Sequence, residues 1–323
     1  MNTVERYLLS EKIHFEKEVD LRKRTWIHRG GIANLFIIPS NTGELETIVS
    51  FLYKNDTEFL VIGATSNLYI LNTTNIPVVI STLKCNTYKL YRDVLECDCG
   101  VLVGKLSRDM IDKGIQGFEY LTKLPGTVGA AIYNNSSVKA ESNSISELLI
   151  DLDLLTPTGI KRLSKEDLNF TFRSSVLKKH QLQGVIIKAR LKVVKGNTEQ
   201  LKAVAVQNER NRLALLEGPA QNLGCTVHRM FCNGSMPTKY RIPYTGYSKL
   251  LNIFVKNQYK QKRKLNRFLL IISGHRRLIP YVSDKQLITF IWKDEKADMY
   301  FDEYLTFMKE VCKTNQVEIE IIR

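Results

Sequence analysis

The sequence has no acidic residue between Glu217 and Asp284, although the rest of the chain has an ordinary composition. Twelve lysines and arginines lie between Arg229 and Arg277, and the whole chain of 323 residues has a net charge of +14. A surface of this sign favours an anionic partner, either a phosphorylated small molecule or a nucleic acid. The densest run, residues 260–267, is typical of a solvated face, and we interpret it as one.

Long hydrophobic runs and regular cysteine spacings are also missing. No apolar run approaches the about 20 residues that span a bilayer, and the first residues lack the basic-then-apolar pattern of a signal peptide. The six cysteines show no disulfide framework, and Cys97 and Cys99 have no second pair at zinc-ligand distance. We therefore expect a cytoplasmic protein with free thiols, no metal ion and no membrane partner.

Three short strings carry most of the functional information, namely residues 63–67 (Gly-Ala-Thr-Ser-Asn), 124–131 (Leu-Pro-Gly-Thr-Val-Gly-Ala-Ala) and 172–175 (Phe-Arg-Ser-Ser). Small residues in the first two let backbone amides approach a phosphate or a flavin. In the third, Arg173 lies between an aromatic ring and two hydroxyls, which suits carboxylate binding. Taken singly, they are also compatible with turn glycines and a surface arginine. Their order and spacing favour a flavin reductase.

Hydrophobic periodicity predicts an α+β protein, divided near residue 197. A helix over residues 44–55 has Leu45, Ile48, Val49 and Leu52 on one stripe. The other predicted helices are 107–113, 199–216 and 297–312. The predicted strands are 59–62, 150–154, 185–193, 268–272, 287–292 and 317–322.

From about Arg24 to its C-terminus, the chain resembles the UDP-N-acetylenolpyruvoylglucosamine reductase family, also named UDP-N-acetylmuramate dehydrogenase. The string 172–175 corresponds to the family's Tyr-Arg-x-Ser, and Glu318-x-Glu320 corresponds to its Glu-Pro-Glu. Further similar segments are 25–33 (Thr-Trp-Ile-His-Arg-Gly-Gly-Ile-Ala), 63–67, 117–119, 125–135 and 283–290.

The resemblance implies an α+β, FAD-binding fold of the vanillyl-alcohol-oxidase (PCMH) type. Two α+β subdomains would cover residues 1–85 and 86–197, and an α+β substrate domain would cover residues 198–323. FAD and NADPH would be the cofactors. The residues expected to bind FAD are Gly63, Thr65, Ser66, Asn67, Pro125, Gly126, Thr127, Gly129 and Asn135.

The resemblance also implies three catalytic residues. Arg173 would bind the substrate carboxylate, and Glu320 would assist on the same group, with Glu318 as its rival. Cys225 lies where the family has a serine as proton donor. A thiol has a reference pKa of about 8.5 and is a stronger acid than an aliphatic hydroxyl, so the substitution permits the same role. A buried thiol without a chemical role is the alternative.

The implied reaction is the reduction of an enolpyruvyl UDP-sugar in peptidoglycan precursor synthesis. Residues 226–230 (Thr-Val-His-Arg-Met) and the pair Lys285-Gln286 depart from the family pattern, and residues 232–283 diverge almost entirely. Another enolpyruvyl nucleotide sugar of a surface polysaccharide is therefore an alternative substrate. A non-catalytic basic binding module is a third hypothesis, although we expect no nucleic-acid partner. The sequence leaves the oligomeric state open.

Overall fold

The computed structural model describes residues 3–137, 143–215, 217–218, 221–228, 236–314 and 316–323. The chain forms two compact units. The first contains residues up to Leu21, Gly31–Thr65 and Asn72–Arg210, and the second contains Arg22–Gly30, Ser66–Leu71 and Asn211–Arg323. The boundaries expected after residues 85 and 197 stay a prediction.

The helices and strands alternate irregularly along the chain, which confirms the predicted α+β class. The helices are α1 (Thr3–Ser10), α2 (Thr42–Lys54), α3 (Val103–Asp112), α4 (Val128–Tyr133), α5 (Ile145–Leu148), α6 (Thr198–Leu215), α7 (Thr238–Phe254), α8 (Gln258–Ile272) and α9 (Ala297–Glu310). The strands are β1 (Phe15–Asp20), β2 (Ile32–Ile37), β3 (Leu60–Ile62), β4 (Leu68–Ile70), β5 (Asn75–Ser81), β6 (Tyr88–Leu90), β7 (Val94–Asp98), β8 (Leu149–Thr156), β9 (Gly159–Ser164), β10 (Val185–Lys192) and β11 (Glu320–Ile322). Among the described residues, no helix combines the length and apolarity needed to cross a membrane.

Two sheets form the framework of the first unit. The first sheet has the order β1-β2-β5-β3, in which β1 is antiparallel to β2 while β2 and β3 are both parallel to β5. The second sheet has the order β6-β7-β10-β8-β9 and is antiparallel throughout. Helix α2 contacts both β8 and β10, so its apolar stripe packs on the second sheet.

The predicted stripe of α2 is confirmed, because all four of its members are fully buried. At the start of the helix, the Asn41 side chain accepts a hydrogen bond from the backbone N–H of Glu44 at 3.0 Å. This cap satisfies an N–H that the helix itself leaves without a partner. The cap and the buried stripe together fix where α2 begins and which face it turns to the core.

The charged face of the second sheet is organised by Arg190 on β10. Arg190 lies opposite Asp151 on β8 and opposite Glu96 on β7. Its guanidinium donates two bonds to Asp153, Nη2 to Oδ1 at 2.6 Å and Nη1 to Oδ2 at 3.0 Å, and its Nε donates to Asp151. These hydrogen bonds from Arg190 hold the pKa of Asp153 below its usual value. The guanidinium therefore joins two strands through charge-assisted bonds.

The second unit has an aromatic core. The ring centroid of Phe290 lies 4.9 Å from that of Trp292, 5.2 Å from that of Phe301 and 5.1 Å from that of Tyr304. Tyr69 of β4 joins this cluster at 5.0 Å from Phe301. Since Tyr69 belongs to a stretch far from the others in sequence, the cluster ties β4 to the C-terminal part of the chain.

A partly buried ion pair also joins distant stretches of the second unit. The Tyr69 hydroxyl donates to Oδ1 of Asp298 at 3.0 Å, and Nε of Arg29 lies 3.4 Å from Oδ2 of the same carboxylate. Arg29 also donates to the carbonyl oxygens of His28 and Asp294. Residues 22–30, strand β4 and helix α9 therefore meet at one carboxylate.

Two predicted strands of the second unit are wrong. Residues 268–272 form the last turn of α8, whose Leu269 and Leu270 are buried. Residues 287–292 form no regular strand, since Phe290 and Ile291 take part only in isolated bridges with Val282 and Asn222. A short apolar run has the same composition in a buried helix and in a strand, so periodicity alone does not separate them.

The geometry around Arg190 predicts a pH-dependent loss of stability for Arg190→Gln. Two neighbouring carboxylates then lose their shared cation, so the free energy of unfolding should fall by about 1–3 kcal/mol at neutral pH. The lowered pKa of Asp153 stabilises the fold above the ordinary aspartate pKa and less as the pH falls through the folded-state value. The difference between the two proteins should therefore shrink below about pH 4.

Urea unfolding from neutral to acidic pH measures this effect. The matched control is Arg162→Gln, because Arg162 also pairs with Asp153, at 3.2 Å, but is largely exposed. We expect a loss of at most about 1 kcal/mol for it. Equal losses in both variants, or a loss in Arg190→Gln that persists unchanged in acid, would contradict the prediction.

Candidate functional site

The segment that enters α4 is an exposed proline followed by a turn. Pro125 is exposed, and Gly126 has φ +113°, a conformation that a side chain would strain. Thr127 is buried at the N-cap of α4, where its Oγ1 accepts weakly from the backbone N–H of Ala130 at 3.5 Å. The turn therefore depends on a glycine and a hydroxyl at adjacent positions.

Gly129 fixes α4 against the second sheet. Its backbone N–H donates to the carbonyl oxygen of Cys99 at 2.8 Å, just beyond the end of β7. A Cβ at this position would lie 3.1 Å from Cβ of Cys99, which is tighter than ordinary contact. The helix can approach the sheet this closely because Gly129 has no side chain.

The loop after β3 touches the same turn. A Cβ on Gly63 would lie 2.5 Å from Oγ1 of Thr127, so the two loops are in direct contact within the first unit. Thr65 is buried and has φ +54°, a left-handed conformation. Ser66, the first residue of a stretch that belongs to the second unit, is half-buried.

The end of α4 and the residues just after it bind the loop of Arg173. Nδ2 of Asn135 donates to the carbonyl oxygen of Thr171 at 2.9 Å, and Oγ of Ser175 donates to the carbonyl oxygen of Tyr133 at 2.7 Å. Oδ1 of Asn135 is buried, and among the described residues it has no hydrogen-bond partner. A buried acceptor of this kind is suited to an N–H or O–H of a bound molecule.

Arg173 lies at the apex of a tight turn. Thr171 and Ser174 exchange backbone hydrogen bonds of 3.0 and 3.1 Å across the turn. Arg173 itself has φ +54°, and its Cζ lies 5.8 Å from the centroid of the Phe172 ring. A left-handed backbone at a non-glycine residue costs about 1 kcal/mol or more, and such residues cluster at functional sites.

Cys225 lies in the second unit on a segment held at its next residue. The backbone N–H of Thr226 donates to the carbonyl oxygen of Ile288 at 2.8 Å, and Oγ1 of Thr226 accepts from the backbone N–H of Phe290 at 3.0 Å. The half-buried thiol of Cys225 points its sulfur at Oε1 of Gln286, 3.8 Å away, where the S–H donates. Gln286 is therefore one acceptor for the thiol proton.

The terminal glutamates are placed by Asn67. Strand β11 is parallel to β4, with Glu320 opposite Leu68, and the backbone N–H of Glu320 donates to the carbonyl oxygen of Asn67 at 2.9 Å. Nδ2 of Asn67 donates to the carbonyl oxygen of Glu318 at 3.3 Å, while the backbone N–H of Glu318 donates to the carbonyl oxygen of Thr226 at 2.9 Å. Both glutamates are half-buried.

These contacts sort the expected site residues into two groups. The first unit contains Gly63, Thr65, Pro125, Gly126, Thr127, Gly129, Asn135 and Arg173. The second unit contains Ser66, Asn67, Cys225, Glu318 and Glu320. Hydrogen bonds of the second unit connect the segments of Asn67, Cys225 and both glutamates.

Sequence reasoning gave no role to two residues that touch this machinery. Gln286 contacts the thiol of Cys225, and Lys178 donates from Nζ to Oδ1 of Asn134 at 2.7 Å, next to Asn135. The signal for Gln286 was its departure from the family pattern beside Lys285. No local signal in the sequence connects Lys178 to Asn134, because 44 positions separate them.

The first unit fits a flavin nucleotide. A Cβ at Gly63 would collide with Oγ1 of Thr127, so the glycine allows the two loops to pack together, and Asn135 offers a buried acceptor without a partner among the described residues. Small residues, capping hydroxyls and amide groups are the donors and acceptors that nucleotide sites use. The residues present are therefore compatible with FAD.

A comparison with family models finds a match between residues 33–164 and the FAD binding domain. This region contains the loop of Gly63, the turn into α4 and Asn135, so the match and the local geometry indicate the same cofactor. FAD as cofactor is thereby supported.

About two thirds of the chain is similar in sequence to known reductases. The UDP-N-acetylenolpyruvoylglucosamine reductase of Prochlorococcus marinus subsp. pastoris is 33% identical over 61% of this chain and 67% of its own length. The enzyme of that name from a second Prochlorococcus marinus strain is 30% identical over 66% of this chain and 72% of its own.

A solved structure extends the likeness to nearly every residue. The crystal structure of the UDP-N-acetylenolpyruvylglucosamine reductase from Thermus caldophilus has a TM-score of 0.68 at 18% identity, covering 96% of this chain and 100% of that one. At this identity the likeness shows the fold, and it confirms the expected α+β architecture. With the sequence matches, it follows that this chain belongs to the UDP-N-acetylenolpyruvoylglucosamine reductase family.

Proposed function

We propose that this chain is an FAD-dependent reductase that converts UDP-N-acetylenolpyruvoylglucosamine to UDP-N-acetylmuramate, with NADPH as the reductant. This reaction belongs to peptidoglycan precursor synthesis. The substrate has a carbon–carbon double bond next to a carboxylate. Reduction needs a hydride on the terminal carbon, a proton on the carbon beside the carboxylate and a cation that holds the carboxylate.

The observation that carries the proposal is the turn of Arg173. Arg173 has a left-handed backbone conformation at the apex of a turn, which costs conformational free energy. A hydrogen bond from Asn135, just after α4, holds this turn. A guanidinium binds a carboxylate through two parallel hydrogen bonds, and it stays charged at every relevant pH. We therefore assign to Arg173 the binding of the substrate carboxylate.

The residues that would hold FAD lie mainly on the two contacting loops of the first unit. Gly63 and Thr65 after β3, with Ser66 and Asn67, form one loop, and Pro125, Gly126, Thr127 and Gly129 form the other, with Asn135 following α4. FAD, when bound and reduced by NADPH, would supply the hydride that the terminal carbon of the substrate accepts. The close contact of Gly63 with Thr127, which leaves no room for a side chain at Gly63, supports this assignment.

Cys225 is our candidate for the proton donor. Its S–H bond would break as the carbon beside the substrate carboxylate takes the proton, and the thiolate would regain a proton from solvent. Gln286 accepts from this thiol in the structure described here, so it orients the proton. We assign to Glu320 a supporting role at the substrate carboxylate. Glu320 is the first residue of β11, and its backbone N–H donates to the carbonyl oxygen of Asn67.

One observation favours a second candidate substrate. Cys225 and Gln286 both depart from the family pattern, and they are in contact. Paired changes at the proton donor and at its orienting partner fit the same chemistry on another enolpyruvyl nucleotide sugar. That sugar nucleotide would belong to a surface polysaccharide.

Anaerobic flavin spectra of the purified protein test the proposal. NADPH should bleach the flavin absorbance, and UDP-N-acetylenolpyruvoylglucosamine should then restore it rapidly. Bleaching without restoration would favour the second substrate. A protein without flavin, or one that NADPH cannot bleach, would overturn the proposed function.

Gly63→Ala should lower the retention of FAD. The new Cβ would displace Oγ1 of Thr127, which caps α4, so the loop and the helix start would both shift. We expect the flavin-to-protein absorbance ratio to fall severalfold. Gly246→Ala is the matched control, because a Cβ there meets no atom within 4 Å. Equal flavin content in both variants would remove Gly63 from the cradle.

Arg173→Ala should leave FAD bound and reducible by NADPH, while the substrate-dependent return of the oxidised flavin slows by about 10²–10³-fold. A pair of charge-assisted hydrogen bonds accounts for a loss of this size. Arg173→Lys should react at a rate between those of the original chain and Arg173→Ala, since lysine keeps the charge but cannot make the two parallel hydrogen bonds of a guanidinium. Arg162→Ala removes an exposed arginine elsewhere and should have no effect. Normal turnover of Arg173→Ala would refute the assignment.

Cys225→Ser should remain active and Cys225→Ala should lose activity. A hydroxyl can donate a proton in the same geometry, whereas a methyl group cannot, and removal of a general acid costs about 10²–10⁴-fold. Single-turnover flavin reoxidation measures the step. If the three proteins react at the same rate, Cys225 has no part in proton transfer.

A further inference from the structure

Helix α7 has two apolar faces, of which one is buried and one is exposed. The inner face carries Tyr240, Tyr244, Tyr247 and Leu251, at helical spacing. Tyr247 packs on Phe268 of α8 with ring centroids 4.4 Å apart, and Leu251 is buried. The inner face of α7 therefore packs the α7–α8 hairpin together.

The outer face of α7 exposes four large apolar side chains, three of which lie near the tip of the hairpin. Their exposed fractions are 67% for Ile242, 52% for Leu250, 73% for Ile253 and 76% for Phe254. The last three lie within one turn at the end of α7. Single exposed apolar residues are ordinary, but a stripe of four on one helix face indicates a surface that binds something.

Lysines surround this apolar tip. Lys249 lies on α7, Lys256 lies in the loop between the helices, and three more lie on the first two turns of α8, all of them exposed: Lys260, Lys262 and Lys264. Within the part of the chain that the structure describes, these five lysines form no ion pair. Their charge is therefore available to a partner.

The arginines of α8 are used differently. Nε of Arg263 lies 3.0 Å from Oδ2 of Asp284, and Nε of Arg267 lies 3.1 Å from Oδ1 of the same carboxylate. Asp284 is also the first acidic residue after Glu217. The guanidinium groups thus anchor α8 to the unit, and the cations near the tip are lysines.

We propose that the α7–α8 hairpin docks on the surface of a lipid bilayer that contains anionic phospholipids. The apolar side chains at the tip would enter the boundary between headgroups and acyl chains, while the five lysines would lie at the level of the phosphates. An amphipathic helix with a lysine-rich border binds membranes in this way, and each lysine near an anionic surface adds to the affinity. The proposal does not rest on the catalytic function.

Other occupants fit the surface less well. A second copy of this chain would bring two strongly cationic faces together without an intervening carboxylate from this segment. Aliphatic side chains such as Ile242 and Leu250 offer little to a nucleic acid, which is bound by cations and flat rings. Protein interfaces are enriched in arginine and depleted in lysine, opposite to the composition of this tip.

Docking on one leaflet needs no membrane-spanning helix. The expectation of no membrane partner followed from the lack of a spanning segment and of a signal peptide, and neither bears on a surface contact. The lysine run at residues 260–267, interpreted above as a solvated face, then has a binding role as well.

Co-sedimentation of the full chain with lipid vesicles tests the proposal. The protein should bind vesicles of equimolar phosphatidylglycerol and phosphatidylcholine but not vesicles of phosphatidylcholine alone. High salt should release the bound protein from the vesicles. The double variant Ile253→Ser with Phe254→Ser should bind at least about tenfold more weakly. Lys256→Gln with Lys260→Gln should lose about tenfold or more.

Matched controls distinguish binding by this surface from nonspecific binding through other exposed apolar residues or lysines. Leu9→Ser with Met299→Ser removes two exposed apolar residues elsewhere, and Lys54→Gln with Lys89→Gln removes two exposed lysines of the first unit. Both controls should bind like the original chain, and thermal unfolding should show that all variants fold. Absence of binding to anionic vesicles would overturn the proposal, as would equal binding of all variants. Retention on heparin without vesicle binding would instead assign the surface to nucleic acid.

Discussion

The second unit depends on one half-buried carboxylate, that of Asp298. Burial raises the pKa of this aspartate, and the hydrogen bond from Tyr69 and the charge of Arg29 act in the opposite direction. Three stretches of chain meet there: residues 22–30, strand β4 and helix α9. Once β4 is fixed, β11 pairs with it, and Glu320 is set opposite Leu68. The position of the terminal glutamate thus follows from an ion pair remote from it in sequence.

Arginine and lysine divide the electrostatic work of this protein. Arg29, Arg190 and Arg267 each bind carboxylates of their own unit, where the planar guanidinium satisfies several acceptors in a fixed geometry. The lysines of the α7–α8 hairpin remain exposed, since a flexible ammonium gains little from a structural pairing at the surface. The large positive charge of the chain is therefore structural in part, and the remainder is presented to solvent or to a partner.

In the first unit, the candidate site is built from turns that rest on sheets. Thr127 caps α4 and touches the loop of Gly63, and Asn135 binds the turn of Arg173. Each contact lies on a loop, but the loops begin or end at β3, β7 and α4, whose positions the core fixes. In such an arrangement, rigid strands and helices hold loop residues in backbone conformations that would otherwise be unfavourable in free energy.

Local sequence patterns determined the elements whose residues carry a clear period. The stripe of α2 and the alternation of β10 were predictable, because burial on one face imposes a period of 3.6 or of 2. The short strings around Gly63, Gly126 and Arg173 identified the family and candidate residues, since close backbone approach restricts residue types. Residues 268–272 were mistaken for a strand because a short apolar run fits either structure.

Only the tertiary structure decided which distant residues meet. Three contacts each join residues more than 60 positions apart in sequence. They are the contact of Cys225 with Gln286, the hydrogen bond from Asn67 to Glu318 and the hydrogen bond from Tyr69 to Asp298. The second face of α7 also emerged only from the fold, since apolar residues on both sides of a helix read as core until burial distinguishes them. Sequence patterns report local periods and local chemistry, whereas long-range contacts depend on how the whole chain packs.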